Sequence, residues 1–475
     1  MRKLRSFPIL FVLINLVVSP LMPVPHPDAL VIAHVTVIDA TGAAAMPDMT
    51  VVISGDRIIK IGKTSEVVIP EHSQLVDGTG KYLIPGLWDM HVHILSEKRG
   101  EMFLPLLIEN GITGVRDMGS TPEGFELLKN WRKQIAQGTL LGPTIIASGP
   151  MVDGPKPMFP DISISIANEA EGKQAVSLLK GYGADFIKVY SLLPRAEYFA
   201  IADEANRQGI PFCGHVPESV SASEASEAGQ KSIEHLSSIQ MACSNIGDEL
   251  RKQLIKARDT SDPALIYQAL LQANRKGADT YNREKAEALF IKFRENATWQ
   301  VPTLIIGWAV VSTTDQDNKT LLRNRKQAWR QKDSYLQYGM ASESIAVIPT
   351  ETSNAFELVA AMHRIGVEFM AGTDTPNLWG MPGPSLHEEL SLLVLAGFTP
   401  MEALQSATRN PAKYLGLLDS LGTIEEGKIA NLVLLAANPL ESITNTRRVS
   451  AVVVRGELIS ESELKLFRAG IRAAH

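Results

Sequence analysis

Eight short apolar runs alternate with helical stretches through the middle of the chain, and this alternation restricts the possible folds more than any other feature. The runs are GLWDMHVH, ITGVRDM, TIIASG, DFIKVY, PFCGHV, KSIEHL, VPTLII and VEFMAGTD. Amphipathic segments such as RAEYFAIADEANRQG separate most of them, and that segment ends at Gly209, where a left-handed cap fits. Eight strands separated mostly by helices over about 330 residues predict an α/β fold, a parallel (β/α)8 barrel of the TIM type.

Both ends of the chain carry β-branched runs with a different character. The runs near the start are LVIAHVTVIDATG and MTVVISGDRIIKIG, and the runs near the end are GTIEEGKIANLVLLAANP and RRVSAVVVRGELI. These runs predict a small β-sandwich domain built from residues 30–84 and 420–465, with the barrel over residues 85–419. A helical insertion is expected at about residues 245–297, ahead of the seventh strand, where insertions commonly cover an active site.

The first residues form a separate segment. Arg2, Lys3 and Arg5 precede an apolar stretch from Phe7 to Val18. This pattern predicts a signal peptide over residues 1–25, export to the periplasm or the exterior, and no stable membrane span after processing. An uncleaved membrane anchor and a buried N-terminal strand are the alternatives.

Charge and cysteine content exclude some classes of partner and leave others open. The 475-residue chain has a net charge of −6, so a nucleic acid or an anionic membrane surface is not expected as a partner. Its two cysteines, Cys213 and Cys243, do not make a disulfide framework and are expected to be unbridged. A homo-oligomer is compatible with this composition.

Polar side chains occur at the C-terminal ends of the predicted strands, where barrel enzymes place their chemistry. Two histidines one residue apart point to the same side of a strand and can form part of a metal site. Each residue taken alone has an ordinary structural explanation, but together they indicate a metal centre. The residues are His91, His93, Lys188, His215, His235 and Asp374.

This arrangement resembles the amidohydrolase superfamily of the binuclear metal type. The pattern consists of HxH on the first strand, Lys on the fourth, His on the fifth and sixth, and Asp on the eighth. The sequences around these residues are similar to those of the branch with imidazolonepropionase-like and Xaa-Pro dipeptidase-like members. They read GLWDMHVH, GHV, EHL and GTDT. LGTIEEGKIANLVLL is similar to the C-terminal β-segment of the family, apart from Asn431, where the family usually carries Asp.

The resemblance implies a role for each matching residue. His91, His93 and Asp374 are expected to bind one divalent metal ion, and His215 and His235 the other. Lys188, carboxylated by carbon dioxide, is expected to bridge the two ions as a carbamate. Zinc is the default metal for such ligands, with manganese or cobalt as alternatives.

The implied reaction is hydrolysis of an amide-type C–N bond in a small molecule or short peptide. Peptides, N-acyl amino acids and cyclic amides are the candidate substrates. A hydroxide shared by the two metals is expected to attack the carbonyl, with Asp374 transferring the proton to the leaving amine.

Several further residues have possible supporting roles. Asp89 could orient an imidazole or form a salt bridge, and Tyr190 could bind substrate at the barrel mouth. Arg116 and Asp117 are expected to pair with each other rather than to bind a substrate carboxylate. His387 is expected at the surface of a helix.

Three other functions remain possible. A mononuclear deaminase would use the His-x-x-Glu sequence from His215 to Glu218, but it has no need of Lys188. A lactonase or phosphotriesterase could share the binuclear centre. A non-catalytic barrel scaffold would be expected to have lost metal ligands, and none is missing.

Overall fold

A computed structural model of the protein describes residues 29–96, 100–260, 263–307, 349–377 and 380–466. The predicted signal peptide at residues 1–25 lies outside these ranges. Within them, no helix combines the length and apolar character needed to cross a bilayer.

The described elements follow the predicted change from strands to alternating strands and helices and back. The strands are β1 (Leu30–Val37), β2 (Met46–Ser54), β3 (Arg57–Lys63), β4 (Gln74–Asp77), β5 (Tyr82–Pro85), β6 (Leu87–Val92), β7 (Ile112–Asp117), β8 (Thr144–Ala147), β9 (Met151–Asp153), β10 (Ser163–Ser165), β11 (Ile187–Val189), β12 (Phe212–Gly214), β13 (Ser232–Glu234), β14 (Trp299–Val301), β15 (Leu432–Leu435), β16 (Val449–Val454) and β17 (Glu457–Ile459).

The helices lie mainly between the strands of the middle region. They are α1 (Phe103–Glu109), α2 (Pro122–Ala136), α3 (Glu169–Tyr182), α4 (Arg195–Gln208), α5 (Ala222–Glu227), α6 (Ile239–Ala242), α7 (Gly247–Asp259), α8 (Pro263–Asp279), α9 (Arg283–Glu295), α10 (Pro349–Ile365), α11 (Pro384–Leu395), α12 (Pro400–Ser406) and α13 (Arg409–Leu415). Helix α4 ends at Gly209 with φ 66°, the left-handed cap expected from its sequence.

Strands from both ends of the chain lie in one sheet, in the order β17-β16-β15-β5-β1-β2-β3. The two ends meet where β5 pairs antiparallel with β15, with Leu83 opposite Leu434. Strand β1 pairs with β4 through its first half and with β5 through its second half. Where the sequence predicts a β-sandwich, these strands are therefore linked into one hydrogen-bonded sheet.

The middle strands form two parallel sheets, β6-β7-β8 and β10-β9-β11-β12-β13-β14. The short strands β9 and β10 were not expected from the sequence. Residues 367–374, predicted as the eighth strand, form no strand: Phe369 bridges Gln300 of β14, and the next residue after the segment, Thr375, bridges Val92 of β6. The two sheets are joined at this segment by single bridges, so the described residues do not form a continuous closed ladder.

The seventh strand also differs from the prediction. It was expected at residues 301–306, but β14 ends at Val301 and residues 304–307 form a helical turn. Pro302 lacks the N–H that would extend the ladder. The first amides of the turn, those of Leu304 and Ile305, instead donate to the buried carboxylate of Glu389 on α11, at 3.0 and 2.8 Å.

Three helices, α7, α8 and α9, occupy the range in which the insertion was expected. Arg251 of α7 donates a hydrogen bond to the carbonyl oxygen of Val220. That carbonyl belongs to the loop that follows β12. The insertion therefore packs against the C-terminal ends of the parallel strands.

Candidate metal centre

The first two predicted ligands lie at the end of β6 and face the same side, as strand alternation requires. The Nε2 atoms of His91 and His93 lie 3.0 and 3.2 Å from Oδ1 of Asp374. His91 Nε2 nevertheless satisfies no hydrogen-bond geometry with any described residue. Two nitrogen donors and one carboxylate oxygen therefore converge on a point where a cation fits, and these three residues form a group with metal-ligand spacing.

The other two imidazoles lie beside this group. His215 follows β12 and His235 follows β13, and their ring centroids are 5.0 Å apart. The ring of His235 is 4.5 Å from that of His91, and its Nε2 is 3.8 Å from Asp374 Oδ1. Residues from four separate segments thus form one continuous cluster.

Each imidazole is held through Nδ1, which leaves Nε2 available. His93 Nδ1 lies 3.2 Å from the carbonyl oxygen of Gly119. The hydroxyls of Ser191 and Thr303 contact Nδ1 of His215 and His235, at 2.8 and 2.7 Å. His91 Nδ1 lies 2.9 Å from Oε2 of Glu234. Protein metal sites commonly fix histidine ligands in this way.

Lys188, in the middle of β11, is fully buried, and its Nζ has no hydrogen-bond partner among the described residues. Burial lowers the pKa of this amine, and Arg116 acts in the same direction, although Glu234 and Asp374 oppose the change. A side chain on Gly214 would place its Cβ 2.9 Å from Lys188 Cδ. Glycine at this position therefore leaves room for the lysine.

Burial and close neighbours also shift the pKa values of the other donors, and Asp374 raises the pKa of His93 against the effect of burial. Burial lowers the pKa of His235 to about 3 and that of His215 well below its usual value. Burial acts to raise the pKa of Asp374, but its close contacts with the imidazoles of His235, His91 and His93 hold that pKa well below its usual value. Neutral imidazoles and an ionised carboxylate are the forms that bind metal ions.

Two of these residues have an unfavourable backbone conformation. His235 and Asp374 have φ values of 58° and 59°, in the left-handed region. For residues other than glycine this conformation costs on the order of 1–3 kcal/mol, and it occurs often at functional sites. Together with the buried Lys188 amine and the convergent nitrogen and oxygen donors, this conformation makes the cluster fit a metal centre.

Two predictions about supporting residues are wrong. Among the described residues, Asp89 orients no imidazole and forms no salt bridge: it accepts from the amides of His91 and Thr373 at 3.2 and 3.1 Å and from the Thr373 hydroxyl at 2.6 Å. Arg116 and Asp117 do not pair, because consecutive strand residues point to opposite faces. Asp117 accepts from the amide of Leu95 at 2.9 Å.

Arg116 instead forms a buried ion pair with Glu234, with Nη2 at 2.9 and 3.0 Å from the two carboxylate oxygens. Sequence reasoning missed Glu234 as a supporting residue. A signal was available, because Ser232 and Glu234 are polar residues two apart in the apolar run SIEHL and so share one face of the strand.

The remaining predictions have mixed outcomes. His387 is not at the surface: it is 1% exposed, and its Nδ1 lies 3.0 Å from the Thr446 hydroxyl. The ring centroid of Tyr190 is 4.1 Å from that of His215, so this tyrosine lies beside the cluster. Cys213 and Cys243 are both unbridged and buried, as expected.

Comparison with known proteins finds relatives in sequence and in fold. An adenine deaminase of Rubrobacter xylanophilus is 32% identical over 72 residues, which are 15% of this chain and 12% of that protein. The ochratoxinase of Aspergillus niger is 23% identical over 430 residues, which cover 78% of this chain and 73% of that protein.

A crystal structure of a Xaa-Pro dipeptidase with methionine bound in its active site has the same fold. Its TM-score is 0.64 at 21% identity, over 91% of this chain and 100% of that one. The model of the amidohydrolase family matches residues 82–258 and 341–459, more than half of the chain. The chain therefore belongs to the amidohydrolase family and is a hydrolase that acts on carbon–nitrogen bonds.

Proposed function

We propose that this protein is a binuclear metal hydrolase that cleaves an amide bond in a small substrate. The observation that carries the proposal is the convergence of four imidazoles and one carboxylate, beside a buried lysine whose amine acts electrostatically on the imidazoles of His91 and His215. His91, His93 and Asp374 would bind one ion, and His215 and His235 the other. Zinc is the default for this donor set.

Lys188 would complete the centre after reacting with carbon dioxide. A neutral amine forms an N–C bond to carbon dioxide and loses one proton, which gives a carbamate anion. The burial of Lys188 favours the neutral amine that this reaction needs. An anion at this position would also offset the charge of two cations.

The chain's own residues would bind substrate and move the proton. When bound, the ions supply Lewis acidity, which polarises a carbonyl group and lowers the pKa of water. The Asp374 side chain is 26% exposed, so it can reach substrate, whereas His91 is fully buried. Its carboxylate would accept a proton from the attacking water and deliver it to the leaving amine. Tyr190, beside His215, would contact substrate at the rim.

The substrate class proposed is a peptide or N-acyl amino acid with a free carboxylate, or a cyclic amide. The names of two similar proteins, ochratoxinase and Xaa-Pro dipeptidase, support an amide-cleaving rather than a phosphate-cleaving enzyme.

We also propose that residues 85–419 form a (β/α)8 barrel, with a β domain from residues 30–84 and 420–465. The bridges from residues 369–375 to both β6 and β14 support closure of that barrel.

Metal content separates the binuclear enzyme from a mononuclear deaminase. We expect about two zinc ions per chain in the reconstituted protein, measured by elemental mass spectrometry, and a marked loss in Lys188→Ala. Lys129→Ala, at an exposed position, is the control and should keep both ions. About one ion per chain, unchanged in Lys188→Ala, would favour the deaminase.

Substrate screening separates the remaining candidates. The metal-loaded protein should hydrolyse members of a panel of Xaa-Pro dipeptides, N-acyl amino acids and cyclic amides. Turnover of lactones or phosphotriesters alone would contradict the proposal. Turnover of nothing, by a protein that does not bind zinc, would favour the non-catalytic scaffold.

Export is a further part of the proposal, since Arg2, Lys3, Arg5 and the apolar stretch after them fit a signal peptide. N-terminal sequencing of the protein isolated from its native cells tests this directly. A mature protein that begins near residue 25 is expected, and an intact Met1 would indicate an anchor or a retained segment.

A further inference from the structure

His91 differs from the other three imidazoles in the partner of its Nδ1 atom. Gly119 offers a carbonyl to His93, and Ser191 and Thr303 offer hydroxyls to His215 and His235. His91 has the carboxylate of Glu234 at 2.9 Å, and both side chains are fully buried. A carboxylate partner makes an imidazole more basic and fixes the proton on Nδ1.

Glu234 is held in place by several buried donors. Arg116 contacts both of its oxygens, and the Ser232 hydroxyl donates to Oε1 at 2.6 Å. The guanidinium is itself fixed, because Nε donates to the Met90 carbonyl at 2.7 Å and Nη1 to the Tyr414 hydroxyl at 3.1 Å. Strands β6, β7 and β13 and helix α13 thus contribute to one polar network beneath the cluster.

We propose that Glu234 and Arg116 are positioning residues that lock His91 in the tautomer with a free Nε2, and that they determine how tightly the His91, His93 and Asp374 site holds its ion. This inference rests on the proposed metal-binding function. Glu234 receives the Nδ1 proton, and Arg116 prevents the carboxylate from turning away. Neither residue touches the ion or the substrate.

The substitution Glu234→Gln tests this arrangement because it keeps the shape and removes one acceptor. Arg116 needs an acceptor, so the single amide oxygen turns toward the guanidinium and the NH2 group faces His91. An NH2 group donates and cannot receive the Nδ1 proton. His91 then favours the tautomer with a proton on Nε2, which cannot bind a metal ion.

Zinc affinity, measured by competition with a chromophoric chelator, is the test. We expect Glu234→Gln to weaken one of the two zinc sites by about 10- to 100-fold and to leave the other near its wild-type affinity. Glu109→Gln, which alters a buried glutamate on α1, is the control and should bind both ions as the wild type does. Thermal unfolding of the metal-free variants shows whether they are folded.

A second variant guards against misfolding caused by an uncompensated Arg116. The double substitution Arg116→Gln with Glu234→Gln removes both charges, and its zinc affinity should also fall at one site. Wild-type affinity at both sites in either folded variant would overturn the inference. A wild-type protein that binds no zinc would instead refute the proposed function, so the two failures are distinguishable.

Discussion

His91 Nε2 lies 3.0 Å from Asp374 Oδ1 without a hydrogen bond between them, although the two residues come from opposite ends of the middle region. The amide of Asp374 donates to the His91 carbonyl at 2.7 Å, so the backbone fixes this contact. The close approach of two donor atoms leaves their lone pairs free to share a cation.

Asp374 should be the residue whose charge matters most for turnover. Asp374→Asn keeps the shape but removes the proton acceptor, so kcat on the amide substrate should fall by about 10²- to 10⁴-fold. Steady-state kinetics on zinc-loaded protein checks this. Asp203→Asn, at an exposed position of α4, should change kcat little. Equal kcat values for the two variants would show that Asp374 does not transfer the proton.

Gly214 should be required for its conformation and for the space that it leaves. It has φ 134°, and an added Cβ would lie 2.2 Å from the Val189 carbonyl oxygen and 2.9 Å from Lys188 Cδ. Gly214→Ala should therefore lower both stability and zinc content, as chemical denaturation and elemental analysis would show. Gly209→Ala is the matched control, since Gly209 also has a positive φ but open space around it. Zinc content that stays normal in Gly214→Ala would contradict this prediction.

His387 should make the protein less stable in acid. Burial lowers its pKa to about 3, with a further contribution from the charge of Arg447. Between about pH 6.5 and 3 the unfolded chain therefore binds a proton that the folded chain does not, and stability is lost as the pH falls, by up to about 1.4 kcal/mol per pH unit.

The variant His387→Gln should make the plot of unfolding free energy against pH less steep in this window by the share of one group, while His215 and His235 keep their contributions. Denaturant titrations of metal-free protein from pH 7 to pH 4 measure the slope. His72→Asn, which replaces an exposed imidazole, should retain the wild-type slope. A wild-type slope in His387→Gln would mean that this residue is not the titrating group.

Leu434 should be important for stability because it lies where the two ends of the chain meet. It is 3% exposed and faces Leu83 across the junction of β5 and β15. Leu434→Ala should lower the free energy of unfolding by about 2–5 kcal/mol. Leu127→Ala, at a position that is 47% exposed, should cost much less. Similar losses in both variants, by denaturant titration, would argue against the junction.

The sequence by itself determined the alternating α/β character of the middle region and the β-rich character of both chain ends. These properties follow from short-range patterns: β-branched runs, the period of amphipathic helices, and caps such as Gly209. It also indicated six polar residues as candidates for the site, because His91, Lys188 and His235 each stand out within an apolar run.

Only the tertiary structure decided the partners of those residues. Arg116 pairs with Glu234 rather than with its neighbour Asp117, and His387 is buried against Thr446. Residues 367–375 bridge two sheets without forming a strand. Long-range packing selects such contacts between residues distant in the chain, and no local pattern records which buried donor meets which acceptor.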